Sequence, residues 1–290
     1  MSAESFIFAN HSLLNLKAKI EKLGTPLKEW DIQINYGIKT GFNQAFIIDE
    51  KTRARILNAV KSEDEKANTD KLIKKVLRGR DIKRYAYEWD NLYVIHTHNG
   101  YTHNGVKVPP IEIENYPSLK AYLDQHYDAL VKRTDKGNTP YNLRNCAYVR
   151  EFEREKIVYP DIATELSFTL DDSYTLTNTA YFLNTNNRYL LGILNSKTIG
   201  YYYSFISAQL GNKALRGFSI YIERLPIPKI TKENQEYAQR ITDCVEQILK
   251  DKQKNKDTSN LEQEIDKLVY QLYGLNHEEI ALIENELNKK

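Results

Sequence analysis

Pro226 and Pro228 divide the sequence into two stretches that obey different apolar periods, and this division limits the architecture more than any other feature. After them, Tyr237, Ile241, Val245 and Ile248 recur at helical spacing, and so do Leu261, Ile265, Leu268, Val269 and Leu272. Such stripes predict two amphipathic helices, with Ser259 and Glu262 spaced as a capping box and Gly274 as the stop. The two are expected to form an antiparallel hairpin, packed on its own domain or docking a partner, with a short third helix from Asn276. Before the prolines, short alternating runs and short helical runs are interleaved without a βαβ rhythm. The fold class predicted is therefore α+β, a mixed sheet-containing domain followed by an antiparallel helical hairpin.

Leu13, Leu14, Leu16 and Ile20 predict a lead-in helix closed by Gly24 and Pro26. The alternation at Ile32, Ile34 and Tyr36, a turn over 37–41 and the apolar run 45–48 predict a hairpin. A polar loop over 62–69 with Asp70 as cap would then lead into a short basic helix over 71–77, and 92–95 has the character of a strand. A helix is expected over 118–133, where Leu119, Tyr122, Leu123, Tyr127 and Leu130 share a face, with Ser118 as cap. Strands follow at 156–159, 167–170 and 181–183, and helices at 189–194 and 198–206. The boundaries drawn are 1–33 for the lead-in, 34–230 for the mixed domain and 231–290 for the helical tail.

A chain of 290 residues, 41% hydrophobic, supports a substantial core. No run approaches the roughly 18 apolar residues of a membrane span, and the first residues lack a basic region followed by an apolar one, so no membrane partner and a cytoplasmic location are expected. Cys146 and Cys244 lie far apart without Cys or His at metal-ligand spacing, which excludes a disulfide framework and a zinc ribbon. The net charge of +2 hides an asymmetry: residues 1–90 carry 17 basic and 13 acidic side chains, and residues 231–290 carry 9 and 13. Tyrosine, at 21 residues against 9 Phe and 2 Trp, favours rings that keep a polar end at a wet surface.

Four near-matches to catalytic or ligand-binding motifs fail on chemistry. Gly37-Ile38-Lys39-Thr40-Gly41 lacks the glycine spacing and lysine position of a phosphate-binding loop. Asn138-Thr139-Pro140-Tyr141 has Thr where the base-holding element of amino-methyltransferases has its first Pro, and no glycine-rich turn for a methyl donor precedes it. Asp161 with Glu165 lacks the following carboxylate, spacer and lysine of a metal-dependent nuclease. His96, His98 and His103 sit among Asn-Gly turns with no carboxylate or thiolate to complete a metal site. Neither a cofactor nor a catalytic residue is therefore expected.

Charge and side-chain type point instead to nucleic acid. Residues 71–85 hold seven cations, Arg78, Arg80, Lys83 and Arg84 among them, against the single acid Asp81. That density neutralises phosphates, and Gly79 allows close backbone approach. Arg133, Lys136, Tyr141, Arg144 and Arg150, then Gln209, Asn212, Lys213 and Arg216, repeat guanidinium, amide and ring groups in polar or glycine-containing loops, where bidentate donors read guanine and adenine edges. Tyr181, Asn184, Asn186 and Asn187 are further candidates, each with a turn or cap as the alternative. The run Tyr201-Tyr202-Tyr203 sends its rings in different directions along a helix, so at least one is assigned to the core.

Four segments occur here in order: Tyr36-Gly37-Ile38-Lys39-Thr40-Gly41-Phe42-Asn43-Gln44-Ala45-Phe46-Ile47-Ile48, Leu77-Arg78-Gly79-Arg80-Asp81-Ile82-Lys83-Arg84-Tyr85, Tyr141-Asn142-Leu143-Arg144-Asn145-Cys146-Ala147-Tyr148 and Leu190-Leu191-Gly192-Ile193-Leu194-Asn195-Ser196. Together they resemble the TaqI-like C-terminal specificity domain, the target-recognition part of adenine-N6 methyltransferases and of type IIG restriction-modification enzymes. The resemblance spans about 34–229. It implies a non-catalytic module that inspects double-stranded DNA in the major groove while a methyltransferase or endonuclease domain or subunit acts on it. By position it implies that Lys39, Thr40 and Asn43 lie in a loop facing DNA, that Arg78, Arg80, Lys83 and Arg84 ride the phosphates, and that Arg144, Lys213 and Arg216 contact bases or backbone. Catalytic domains like those of the family are missing from this sequence, so a fragment and a stand-alone subunit are both expected forms. A complete DNA enzyme and a protein-interaction scaffold built on the acidic tail are the competing functions.

Overall fold

The computed structural model describes residues 3–210 and 214–288. Its centre is the strand Lys156–Pro160, every residue of which is buried. Ile157 and Tyr159 point into one apolar core and Val158 into another, as the two-residue period of a strand requires. Ala180–Leu183 behaves in the same way, with Leu183 in the first core and Phe182 in the second. The four-stranded antiparallel sheet that contains them, ordered Thr169–Asp171, Lys156–Pro160, Ala180–Leu183, Ile34–Tyr36, thus separates two cores. At its edge Lys156 lies opposite Asp171, and their side chains, 1% and 0% exposed, form an ion pair at 2.5 Å. Burial pushes each toward its neutral form, and the mutual contact opposes this.

The second core is walled by another four-stranded sheet, ordered Thr175–Leu176, Ile73–Leu77, Leu92–Ile95, Ile47–Asp49, and by the helices Glu50–Asn58 and Pro117–Asp124. The first core is covered by helices: Arg188–Leu194, Lys197–Ile206, Gln235–Lys252, Ser259–Leu272 and His277–Asn288. Ile241, Val245, Ile248, Ile265 and Val269 are fully buried there, so the apolar stripes of the tail pack on the tail's own domain. Residues 226–228 cross the top of this core, and the hydroxyls of Tyr273 and Tyr189 donate to the carbonyls of Pro226 and Pro228. Leu16 and Ile20 of the helix Ala3–Leu23 close the same core.

The class is α+β, as expected, with four local corrections. No hairpin joins 32–36 to 45–48: Ile34–Tyr36 pairs with Ala180–Leu183, residues Asn43–Phe46 are helical, and Ile47–Asp49 pairs with Leu92–Ile95. The expected loop 62–69 is the helix Glu63–Leu72, capped by Ser62, and the expected basic helix is the strand Ile73–Leu77. The helix foreseen over 118–133 is two, Pro117–Asp124 and Tyr127–Lys132. In the tail, Thr258 rather than Ser259 is the N-cap of its helix, whereas Asn276 and Glu279 make the reciprocal bonds of a capping box.

Candidate nucleic-acid interface

Several loops named from the sequence meet around one short turn, residues 177–179, which joins the two sheets. The Thr177 amide donates to Leu77 O at 3.0 Å, the Asp161 amide to Thr179 O at 2.8 Å, and the Gly79 amide to the Thr179 hydroxyl at 2.9 Å. Ile38 bridges Thr177 from a third side. A side chain on either approaching glycine would collide with main chain: a Cβ at Gly37 would lie 2.1 Å from Thr177 O, and one at Gly79 2.1 Å from Thr179 O. Gly217 closes the ring by donating to Asp161 O.

A second loop, 133–145, is fastened to this ring by a buried arginine. Arg133, 6% exposed, donates through Nη1 to the carbonyls of Thr40 and Asp135 and through Nη2 to those of Pro140 and Asn142. Its guanidinium lies 4.5 Å from the centre of the Phe46 ring, and burial lowers its pKa to about 10. It remains a cation at neutral pH and acts as an internal strut. Asn142, 1% exposed, donates to Ile111 O and accepts from Thr139, and the Tyr141 hydroxyl donates to Asp124. Arg133 and Tyr141 therefore hold the loop, while Arg144 stands at its exposed edge, paired with Asp135 at 3.1 Å. Lys136 is exposed, its ammonium on Val131 O at 2.5 Å. Between this loop, residues 39–44 and the turn lies a groove of about 460 Å³, lined by Lys39, Thr40, Asn43, Asp135 and Asn178 among others. Thr40 is buried there and donates to Asn43 Oδ1.

The basic stretch 71–84 is far less free than its sequence implies, because carboxylates both near and distant in the chain reach it. Lys74 meets Glu153 at 3.3 Å, and Lys75 lies over Trp89. Arg78 forks onto Asp81, reaches Asp90 at 2.6 Å, and is held above the usual guanidinium pKa mainly by the Asp81 bonds. Lys83 donates to Arg80 O and stands 3.8 Å from Glu88. Arg84 pairs at 2.7 Å with Glu262 of the tail. Arg80 is exposed, and among the described residues no hydrogen bond or ion pair engages its guanidinium.

Arg216 stacks on Phe218 at 4.6 Å and pairs with Asp161 Oδ2 at 2.9 Å. The other oxygen of Asp161 is buried without a hydrogen-bond partner among the described residues, and burial raises the Asp161 pKa against the lowering effect of Arg216. Asn212 and Lys213 lie outside the described residues. The carboxamides of Asn184, Asn186 and Asn187 are used within the fold, accepting from Gln33 N, donating to Glu155 and accepting from Leu190 N respectively. Tyr201, Tyr202 and Tyr203 are all core. His96 is buried, its pKa lowered to about 3 by desolvation, and Asn104-Gly105 is a tight turn with both φ angles positive. Among the described residues no group of three His, Cys, Asp or Glu is placed to hold a metal, and no helix is long and apolar enough to cross a membrane.

The model of the family described as "TaqI-like C-terminal specificity domain" matches residues 74–227. The chain belongs to that family. The matched specificity domain contains the strand Ile73–Leu77 from its second residue, the turn 177–179 and all of the loop 133–145. Type II methyltransferase M.MjaIV of Methanocaldococcus jannaschii is 26% identical over 251 residues, which are 82% of this chain and 77% of that protein. Type II methyltransferase M.BstVI of Geobacillus stearothermophilus is 22% identical over 272 residues, 90% of this chain and 43% of that protein. A solved structure of the type IIL restriction-modification enzyme MmeI in complex with DNA shares the fold, with a TM-score of 0.63 at 14% identity, over 88% of this chain and 35% of that one. The chain thus spans less than half of M.BstVI and about a third of MmeI. Asn178, exposed at the centre of the ring of loops, is absent from the residues named from sequence. Its only signal there is a Thr-Asn-Thr between two strand-like runs.

Proposed function

We propose that this specificity domain recognises a short sequence in double-stranded DNA and leaves the chemistry to a methyltransferase or endonuclease domain or subunit. The observation that carries the reading is the convergence of the loops 37–44, 78–81, 133–145 and 216–217 around the turn 177–179, with polar side chains exposed and their backbones fastened beneath. In this reading Lys39, Asn43, Arg80, Arg144 and Arg216 face DNA, with Lys136, Lys83 and the partly exposed Arg78 at the periphery. Thr40, Arg133 and Tyr141 position the loops, and Arg84 ties them to the tail. Residues 34–230 form the recognition unit, and residues 231–290 brace it.

Support for leaving catalysis elsewhere comes from how the near-matching residues are employed. Asn138 is engaged by Asn99, which donates to its Oδ1 and accepts from its amide, and Asp161 is paired with Arg216. The scaffold reading loses its main support because the apolar stripes of the tail are buried in the chain's own core.

The test is fluorescence anisotropy of the full chain with labelled duplexes over a range of salt concentration. Each phosphate neutralised contributes about −0.9 to the slope of log affinity against log salt. Arg80→Ala is expected to weaken binding on all sequences alike and to reduce that slope by about one contact. Association that does not respond to salt would overturn the proposal.

A further inference from the structure

At the tip of the turn 177–179 stands one carboxamide that the chain does not use. Asn178 is exposed, and among the described residues nothing hydrogen-bonds to its side chain. Its mount, by contrast, is fixed on both sides. Thr177 is held by Leu77 and Ile38, Thr179 by Gly79 and Asp161, and the two threonine hydroxyls lie 2.8 Å from each other. The residue has no left-handed φ, so the turn does not require asparagine for its backbone, and its amide does not fold back onto the main chain as turn asparagines do.

The groove beside it is ill suited to phosphate. Lys39 is the single cation among the described residues lining it, the Asp135 carboxylate faces the same space, and Arg144 is already paired with that carboxylate. The remaining polar side chains are the neutral amides of Asn43, Gln44 and Asn178 and the Thr40 hydroxyl, which is spent on Asn43. Asn43 accepts from Thr40 through Oδ1, which leaves its NH₂ to face outward. A mixed set of donors and acceptors on a rigid support matches the edge of a base, and a fixed backbone limits the entropy lost on binding to the side chain's own torsions.

We infer that Asn178 is a specificity-determining residue whose carboxamide reads one base edge in the major groove. Adenine, with a donor at N6 and an acceptor at N7, is the base that matches. The inference rests on the reading of this chain as a DNA-recognition module.

Selection of duplexes from a randomised library by the full chain tests it, with wild type, Asn178→Ala and Asn178→Asp compared. Asn178→Ala is expected to melt like wild type, to lose base preference at one position, and to bind the selected site roughly 5- to 150-fold more weakly with an unchanged salt slope. Asn178→Asp keeps an acceptor and loses the donor, so preference at that position should move from adenine toward cytosine. Wild-type preferences in both variants would overturn the inference, as would uniform weakening with a shallower salt slope, which marks a phosphate contact. If wild type enriches no sequence, the recognition reading itself fails and the inference falls with it, an outcome distinct from a failure confined to the variants.

Discussion

Arg133 uses its guanidinium on four backbone carbonyls beneath the loops, whereas Arg80 holds the same group out to solvent. Burial decides between the two roles, because a buried cation must have its donors met by the protein and an exposed one is met by water or by a ligand. Histidine follows the same logic at His96, where desolvation lowers the pKa to about 3. The unfolded chain takes a proton there near pH 6.5 and the folded chain does not until about pH 3, so His96 destabilises the fold progressively as pH falls through that window. At pH 5 the loss relative to neutral pH is about 2 kcal/mol, since each pH unit below the unfolded pKa is worth about 1.4 kcal/mol. Asp161 and Asp171, whose pKa values burial raises, change stability in the opposite direction, and the difference between wild type and His96→Leu isolates the histidine. Urea unfolding should show the variant losing about 2 kcal/mol less than wild type between pH 7.5 and pH 5. Parallel pH profiles for the two proteins would dismiss this account.

At the scale of elements, close backbone approach is what assembles the loops. The Gly79 amide reaches the Thr179 hydroxyl because no side chain intervenes. Gly79→Ala places a methyl 2.1 Å from a carbonyl oxygen that is itself bonded to the Asp161 amide, so the main chain must move. The expected cost is about 1–3 kcal/mol, seen as a lower unfolding midpoint. DNA binding should weaken on every sequence, because the loops shift together. A variant as stable and as tight-binding as wild type would show that the contact at Gly79 is dispensable. The sequence revealed elements wherever a stripe or alternation was local. The tail helices, Arg188–Leu194, Lys197–Ile206 and the strand Lys156–Pro160 stand where their patterns put them. It misled where pairing was distant: Ile34–Tyr36 takes Ala180–Leu183 as partner rather than the nearby run, and Lys74 and Lys75 gave a central strand a helical look. The capping signal Ser62-Glu63-Asp64-Glu65 was present, but a polar composition concealed it. For the candidate interface, residue types were legible and pairings were not, since the carboxylates that occupy Lys74, Arg84 and Arg216 come from other parts of the chain.

In the molecule as a whole, the sheet carrying the turn 177–179 is buried on both faces, and one of those faces is covered by the tail. Ile157, Tyr159 and Leu183 share a core with Ile241, Val245, Ile248, Ile265 and Val269, and Arg84 bridges to Glu262. Removing residues 231–290 would uncover that core, and each large apolar side chain left exposed gives up about 1.5–3 kcal/mol, so the loss exceeds the total stability of an ordinary domain. The shortened chain should therefore lack a cooperative thermal transition and bind hydrophobic dye, and its affinity for duplex DNA should collapse because the sheet no longer holds the loops together. A shortened chain that melts cooperatively and keeps the wild-type salt slope would show the tail to be an appendage. The same comparison separates bracing from direct contact. A tail that only braces leaves the full-length salt slope intact when its exposed lysines, such as Lys254 and Lys256, are changed to Gln, whereas a tail that touches phosphate loses about one unit of slope for each contact removed.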